Sequence, residues 1–129
     1  MISLFVNSCK TGEPDIVQTP LFSLLSRENT HVEFLNQVKY TEEYNTYTYR
    51  NFYNFAGVGM GGFNNDGLPD IYFCGNIADN KLYINKGNFV FEDIMEQAGV
   101  ACPDVWSTGV SIADINGDGW KDVFMANGI

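Results

Sequence analysis

The chain has 129 residues, enough for one ordinary domain, and its 45% hydrophobic content is sufficient for a core. Its formal net charge is −9 with only 7 Lys and Arg, which argues against nucleic acid because phosphate binding needs clustered cationic side chains. No stretch reaches the roughly 18 consecutive apolar residues expected of a membrane-spanning helix. Cations are therefore the more natural partners of this acidic chain.

Residues 1–9 form an apolar run that ends in a small residue and Cys9, and a polar stretch with Gly and Pro follows. This order is typical of the end of a bacterial lipoprotein signal, with Cys9 as the residue that is lipidated and becomes the mature N-terminus. The usual positively charged start is missing, so either residues 1–9 are the remnant of a signal whose start has been lost, or the likeness is accidental. Residues 10–20 are interpreted as a linker.

Residues 21–55 are interpreted as a segment that leads into the repeated part of the chain. The apolar patch at 21–25 is too short for periodicity to distinguish a helical turn from a strand. Residues 31–35 alternate weakly and predict a strand. His31 is the only histidine, and without Cys or a second His nearby it is expected to be a surface residue.

Residues 40–55 are rich in Tyr, Asn and Thr. If this segment is extended, Tyr47 and Tyr49 fall on one face. Aromatic faces with amide side chains suit carbohydrate, which makes a sugar-stacking platform one hypothesis. The favoured alternative is an aromatic strand that packs against its neighbours.

A series of four short strands is predicted next, at 57–61, 70–74, 81–85 and 89–94. Residues 86–88 (Lys-Gly-Asn) predict a tight hairpin turn between the last two, since Gly and Asn tolerate positive φ. Four short antiparallel strands in a repeat of about 50 residues are typical of a propeller blade. Residues 56–104 are therefore predicted to form the first full blade.

The acidic stretch at 64–70 recurs at 116–122, 52 residues later, with its side-chain oxygens in the same register. Apolar positions recur as well, since Val110 and Ile112 stand where Val58 and Met60 stood. Residues 105–129 are thus the start of a second blade. We predict an all-β fold, a fragment of a β-propeller with about one and a half four-stranded blades, and the N-terminal piece of a longer protein.

The second acidic stretch has the oxygen ligands that calcium prefers, at the spacing of a tight loop. The predicted ligands are Asp114, Asn116, Asp118, Asp122 and the carbonyl of Trp120. Gly119 occupies the position that permits a sharp turn, as in an EF-hand loop. Met125 stands where an EF-hand needs Glu, and a strand follows rather than a helix. A plain Asp/Asn/Gly turn is the alternative.

The first acidic stretch predicts a weaker site. Its ligands would be Asn64, Asp66, Asp70 and the carbonyl of Leu68, but Gly62 replaces the first carboxylate. Fewer charged ligands lower calcium affinity.

Two further cysteines, Cys74 and Cys102, do not make a disulfide framework. Cys74 ends a strand-like run and is expected to be a small buried apolar residue. No bridge is predicted.

Residues 57–72 and 109–124 resemble the FG-GAP and VCBS-type repeat proteins, and residues 80–88 resemble the outer strand and hairpin of that family. The resemblance implies an integrin-alpha-like β-propeller with calcium-binding loops. Gly62 departs from the family's usual Asp. The lipoprotein-like start resembles secreted or surface-anchored proteins of Bacteroidetes-type bacteria, often among glycan-handling systems.

These observations predict a calcium-stabilised, non-catalytic propeller module that binds a glycan or a protein partner. The module is expected to be secreted or displayed at the bacterial surface as an outer-membrane lipoprotein, in contact with the membrane only through its anchor. One alternative is the propeller part of a polysaccharide-degrading enzyme whose catalytic site lies elsewhere, since no nucleophile and base are paired here. Another is a purely structural or adhesion module.

Overall fold

A computed structural model describes residues 20–128, so the predicted lipidation at Cys9 and the linker up to residue 19 lie outside the described residues. The described part is all-β, with two antiparallel sheets and two single-turn helices. The helices are α1 (Arg27–Thr30) and α2 (Met95–Ala98). The strands are β1 (Val58–Gly61), β2 (Asp70–Phe73), β3 (Lys81–Asn85), β4 (Phe91–Asp93), β5 (Ser107–Ala113) and β6 (Asp122–Asn127).

Strands β1 to β4 form one antiparallel sheet in sequence order, as the four predicted strands require. Strand β3 has the predicted bounds, whereas β4 begins two residues later than predicted. The reason is the turn, in which Asn88 and Phe89 both have positive φ (53° and 61°) and so cannot pair as strand residues. The amide of Lys86 donates to the carbonyl of Val90 and closes this turn at 2.8 Å.

Strands β5 and β6 form a second, two-stranded sheet with a register shift between Ser107 and Gly109. The first sheet is a four-stranded blade, and the second repeats its first two strands, β1 and β2. Together they make a partial β-propeller, in agreement with the predicted fold class.

The two sheets pack closely because the facing side of β1 consists of glycines. An added Cβ on Gly59 would lie 2.7 Å from Cδ1 of Ile112 and 3.0 Å from Cγ1 of Val110. Gly61 is as close, at 2.8 Å from Cγ2 of Ile112. The glycines thus leave room for the β-branched side chains of β5, which is how adjacent blades approach. The core between the sheets is built on Tyr72, Cys74, Leu82 and Met95.

The segment at 31–35 is not a strand, contrary to the prediction. It lies on the other face of the first sheet, where Phe34 stacks on Phe73 at 4.9 Å and the Glu33 amide donates to the Tyr83 hydroxyl at 3.2 Å. Burial alternates along 31–38, so side-chain packing satisfies the period-2 pattern without backbone pairing. The apolar patch at 21–25 is neither helix nor strand.

The predicted extended segment at 40–55 is a series of turns. The side chain of Asn45 accepts hydrogen bonds from the amides of Tyr47 and Thr48 at 2.8 and 3.1 Å, which favours a turn over a strand. Tyr47 is 92% exposed, whereas the ring of Tyr49 packs edge-on against Trp106. The two tyrosines therefore do not share a face, and the sugar-stacking platform that required them to do so is not formed.

Cys74 is buried and Cys102 half-buried, and both are free thiols. Burial of Cys74 in the core agrees with the small apolar role predicted for it. Neither of the helices within residues 20–128 has the length and apolarity needed to cross a bilayer.

Candidate functional site

The two acidic loops, residues 62–70 and 114–122, each connect the first two strands of a sheet and lie side by side. The first joins β1 to β2, and the second joins β5 to β6. The side-chain amide of Asn65 donates to the carbonyl of Gly119 at 3.2 Å and links the loops directly. Packing of β1 against β5 thus brings the repeated stretches together at one end of the strands.

The repeated sequence produces a repeated set of hydrogen bonds. In the first loop, the Asn64 side chain donates to Asp66 Oδ2 at 2.8 Å, and the Leu68 amide donates to Asp66 Oδ1 at 2.8 Å. In the second loop, Asn116 and Trp120 make the same two bonds to Asp118, both at 2.9 Å. The side-chain oxygens therefore hold the same positions in both loops.

Both loops also place two residues in the left-handed region. These are Asn65 (φ 58°) and Gly67 (φ 84°) in the first loop, and Gly117 (φ 77°) and Gly119 (φ 90°) in the second. Gly and Asn are the residues that adopt this conformation at least cost. The Asn/Gly pattern thus specifies the loop backbone independently of any metal.

The last carboxylate of each loop closes it. Asp70 Oδ2 accepts the Phe63 amide at 2.7 Å, and Asp122 Oδ2 accepts the Ile115 amide at 2.9 Å. Asp70 differs because it is fully buried and its second oxygen accepts the Asn85 amide at 2.8 Å. The sequence analysis assigned Asp70 only to metal binding and missed this structural role, which its place at the start of a strand did not reveal.

The first position of the loop is where the two copies differ. The carboxylate of Asp114 accepts three backbone amides, those of Gly117, Asp118 and Gly119, at 2.7, 3.1 and 2.9 Å. Gly62 has no side chain to do the same. The first loop therefore lacks both the carboxylate and the acceptor for backbone amides that Asp114 provides in the second loop.

The donor chemistry of the second loop fits a hard cation. Its three carboxylates, one amide oxygen and one carbonyl are oxygen ligands of the kind calcium takes. Asp118 is exposed, and hydrogen bonds from the Trp120 amide and the Asn116 side chain hold the pKa of its carboxyl below the usual value. Within residues 20–128, however, no three His, Cys, Asp or Glu side chains converge as a metal-binding group.

The first loop does not offer a comparable set of donors. Asp70 is fully buried, which leaves Asp66 as its one exposed carboxylate, whereas Asp114 and Asp122 of the second loop are half-buried and Asp118 is exposed. Lys121 lines the groove between the loops. The pKa of Lys86 is raised, first by its hydrogen bond to Glu92 and in smaller part by the charges of Asp66 and Asp70.

A cleft of about 540 Å³ lies at the opposite end of the strands. It is bounded by the turns at 43–49, by the connection after β2 and by the residues that precede β5. Tyr44, Tyr49 and Trp106 form its aromatic wall. The rings of Tyr44, Tyr49 and, outside the lining, Phe52 surround Trp106 at centroid distances of 5.9, 5.3 and 5.6 Å. Sequence analysis noted the tyrosine-rich segment but not its contact with Trp106, because more than 50 residues separate them.

Comparison with known proteins agrees with the repeat. Residues 62–125 match the family described as FG-GAP-like repeat. The chain is 35% identical over 71 residues to cartilage acidic protein 1 of Mus musculus, and 34% identical over 71 residues to the protein of that name in Homo sapiens and in Xenopus tropicalis. Each match covers 55% of this chain but only 11% of the relative. Residues 62–125 thus carry an FG-GAP-like repeat, and both acidic loops lie within the match.

Proposed function

We propose that this chain is part of a non-catalytic binding module, an extracellular or surface-exposed β-propeller that calcium stabilises at the second acidic loop. The observation that carries the proposal is the set of three carboxylates, one amide oxygen and one carbonyl in a loop whose backbone is already ordered by its own hydrogen bonds. FG-GAP repeats occur in extracellular or surface proteins and are generally non-catalytic, which supports the proposed role.

The residues that would hold the cation are Asp114, Asn116, Asp118, Asp122 and the carbonyl of Trp120. Calcium would supply positive charge that offsets the repulsion between the three carboxylates. The chain itself provides the turn that brings the ligands together, since Gly117 and Gly119 adopt the left-handed conformation that this turn requires. An occupied loop is expected to stabilise the edge formed by β5 and β6.

Calorimetric titration of calcium into the full chain tests this proposal. We expect one site in the wild type, with a rise in melting temperature that a chelator reverses. A D114N/D118N variant should lose both effects because two charged ligands become neutral amides. A D79N variant, which neutralises an exposed carboxylate outside the loops, should bind like the wild type. Absence of both heat and thermal shift in the wild type would refute calcium stabilisation.

We also propose that the module is anchored through lipid at Cys9, as the apolar run before it favours. Metabolic labelling with a radioactive fatty acid in a bacterial host tests this. The label should enter the wild type and a C102S control but not a C9S variant. A wild-type chain that stays unlabelled would reject the anchor and leave the calcium proposal untouched.

The partner is proposed to be a glycan or a protein, and binding rather than cleavage is the expected activity. Full chain incubated with a panel of polysaccharides should release no new reducing ends. Release of such ends that requires the chain would favour the alternative role in polysaccharide degradation.

A further inference from the structure

The dipeptide Asn-Gly occurs twice in the sequence, at Asn116-Gly117 in the second acidic loop and at Asn127-Gly128 at the end of β6. In such a pair the backbone nitrogen of glycine can attack the side-chain amide of asparagine, because glycine has no Cβ to shield that nitrogen. The product is a cyclic succinimide, which water opens to aspartate or to its β-linked isomer, isoaspartate. The surroundings of each pair decide whether this reaction proceeds.

The pair in the second acidic loop is open to solvent. Asn116 and Gly117 are both exposed. A Cβ built on Gly117 would meet no atom within 4 Å. Free space therefore lies beside the nitrogen that has to approach the Asn116 side chain.

Hydrogen bonds polarise both reacting groups of this pair. The Gly117 amide donates to Asp114 Oδ1 at 2.7 Å, and a carboxylate acceptor raises the electron density on the amide nitrogen. Asn116 Oδ1 accepts the Asp118 amide at 3.0 Å, which draws electrons away from Cγ. Attack on Cγ places negative charge on Oδ1, where the same donor stabilises it. The nucleophile and the electrophile are thus each polarised in the direction that the reaction requires.

The first acidic loop provides a comparison within the same chain. Asn64 Oδ1 accepts the Asp66 amide at 3.1 Å, so its side chain is polarised in the same way. The following residue is Asn65 rather than glycine, and its side chain shields the backbone nitrogen. Gly62 provides no carboxylate to accept that amide. Asn64 should therefore react much more slowly than Asn116.

The second Asn-Gly pair is held by the sheet. Asn127 pairs with Ser107, and the Gly128 amide donates to the Trp106 carbonyl at 2.9 Å. Gly128 is half-buried, and a Cβ there would lie 2.8 Å from Cγ2 of Thr108. The backbone cannot rotate to bring the Gly128 nitrogen onto the Asn127 side chain without breaking this pairing.

We propose that Asn116 is a spontaneous deamidation site, and that in the calcium-free chain it is converted to aspartate and isoaspartate. The bond from Gly117 N to Asn116 Cγ forms, and the bond from Cγ to Nδ2 breaks. The amide proton passes through water to the departing nitrogen, which leaves as ammonia. One water molecule then opens the ring, so the reaction consumes water and needs no oxidant or reductant.

The consequence for the acidic loop rests on the proposed calcium site, whereas the modification itself does not. Aspartate at position 116 adds a carboxylate to the ligand set and should raise calcium affinity. Isoaspartate lengthens the backbone by one carbon, displaces the ligand and should lower it. With Asn116 and Asp114 held on calcium, the side chain cannot turn toward the Gly117 nitrogen. Calcium should therefore protect Asn116.

Incubation of the full chain with chelator, at neutral pH and physiological temperature, tests the proposal. Trypsin places Asn64, Asn116 and Asn127 in the separate peptides 51–81, 87–121 and 122–129. Mass spectrometry follows the replacement of NH₂ by OH in each, and fragmentation assigns the residue. Asn116 should react at least about tenfold faster than Asn64 or Asn127. In urea, which removes the sheet, Asn127 should react as fast as Asn116.

Matched variants exchange the two loops at the residue that follows the asparagine. G117N gives the second loop the Asn-Asn pair of the first, and Asn keeps the left-handed backbone, as Asn65 does at φ 58°. It should slow deamidation of Asn116 at least about tenfold. N65G is the converse change and should speed the reaction of Asn64.

Two results would overturn the proposal. They are an Asn116 that reacts no faster than Asn127 in the folded chain with chelator, and a G117N variant that reacts as fast as the wild type. Reaction of Asn116 in a chain that shows no calcium binding by calorimetry would refute the calcium site and leave the deamidation site standing. Equal rates with chelator and with saturating calcium, in a chain that binds calcium, would exclude the protective effect.

Discussion

The carboxylate of Asp70 accepts a hydrogen bond from the backbone amide of Asn85 at 2.8 Å, and through it the first acidic loop is joined to the β3–β4 hairpin. The other oxygen of Asp70 accepts the Phe63 amide. Asn85 returns the contact, because its side-chain amide donates to the Pro69 carbonyl at 3.0 Å. A carboxylate tolerates complete burial when hydrogen bonds satisfy it, and Asp70 has one on each oxygen.

Asp70→Asn should therefore lower the free energy of unfolding by about 2–3 kcal/mol. One oxygen becomes an NH₂ group that faces a backbone N–H, so one buried amide loses its acceptor. Urea denaturation with chelator present measures the effect without any contribution from calcium. Asp79→Asn is the matched control and should stay within about 0.5 kcal/mol of the wild type. If both variants are equally stable, Asp70 does not tie the loop to the hairpin.

Gly59→Ala should destabilise the packing between the two sheets by about 1–3 kcal/mol, because its Cβ would meet Ile112 Cδ1 at 2.7 Å. Ile112→Val removes that methyl, so the double variant should recover part of the loss. Gly62→Ala is the control, since its Cβ would meet only the Leu68 carbonyl at an ordinary 3.4 Å. Additive losses in the Gly59→Ala/Ile112→Val cycle would show that the two residues are not coupled.

Gly62→Asp should stabilise the first loop even in the presence of chelator. The new carboxylate can take the role of Asp114, which accepts three backbone amides in the second loop. The expected gain is about 0.5–1.5 kcal/mol in the free energy of unfolding, measured by urea denaturation. Gly62→Asn tests whether charge is needed and should gain less. A Gly62→Asp chain that is no more stable than the wild type would contradict this account of the difference between the loops.

Tyr72 should make the fold sensitive to alkali. Burial raises the pKa of this tyrosine to about 12 from an ordinary 10. Between these values the unfolded chain has lost the phenolic proton that the folded chain keeps, so stability is complete below pH 10 and falls as pH rises toward 12. The stability difference between the wild type and Tyr72→Phe, followed by urea denaturation, should shrink over this range. A difference that stays constant with pH would exclude Tyr72 as the cause.

Sequence was sufficient to predict the repeated loops because their structure is local. Asn64, Asp66 and Gly67 satisfy one another and their neighbours within a few residues, and residues with the same roles recur 52 positions later. The four strands predicted between residues 57 and 94 were also confirmed to within two residues at each end, since each is bounded by turn residues. The calcium ligands stay a prediction, because the same oxygens serve a turn as well as a metal.

Sequence was a poor guide where long-range packing decides the structure. The alternating pattern at 31–35 was interpreted as a strand, yet that segment is held by the stack of Phe34 on Phe73. The tyrosine-rich stretch was expected to be extended, but the side chain of Asn45 turns it back toward Trp106. Neither contact leaves a signal in the local sequence.

The amino-acid sequence by itself determined the acidic loops, the blade-like order of strands and the negative charge, because turn chemistry, side-chain alternation and composition act over short distances. Tertiary structure decided which carboxylates are available. Close packing of β1 on β5 places the two loops side by side. Asp70 is buried and accepts backbone amides, one of them from Asn85. Asp114 accepts three backbone amides within the second loop. The cleft around Trp106 likewise exists only because segments distant in the chain meet there, where burial of aromatic surface outweighs the cost of ordering them.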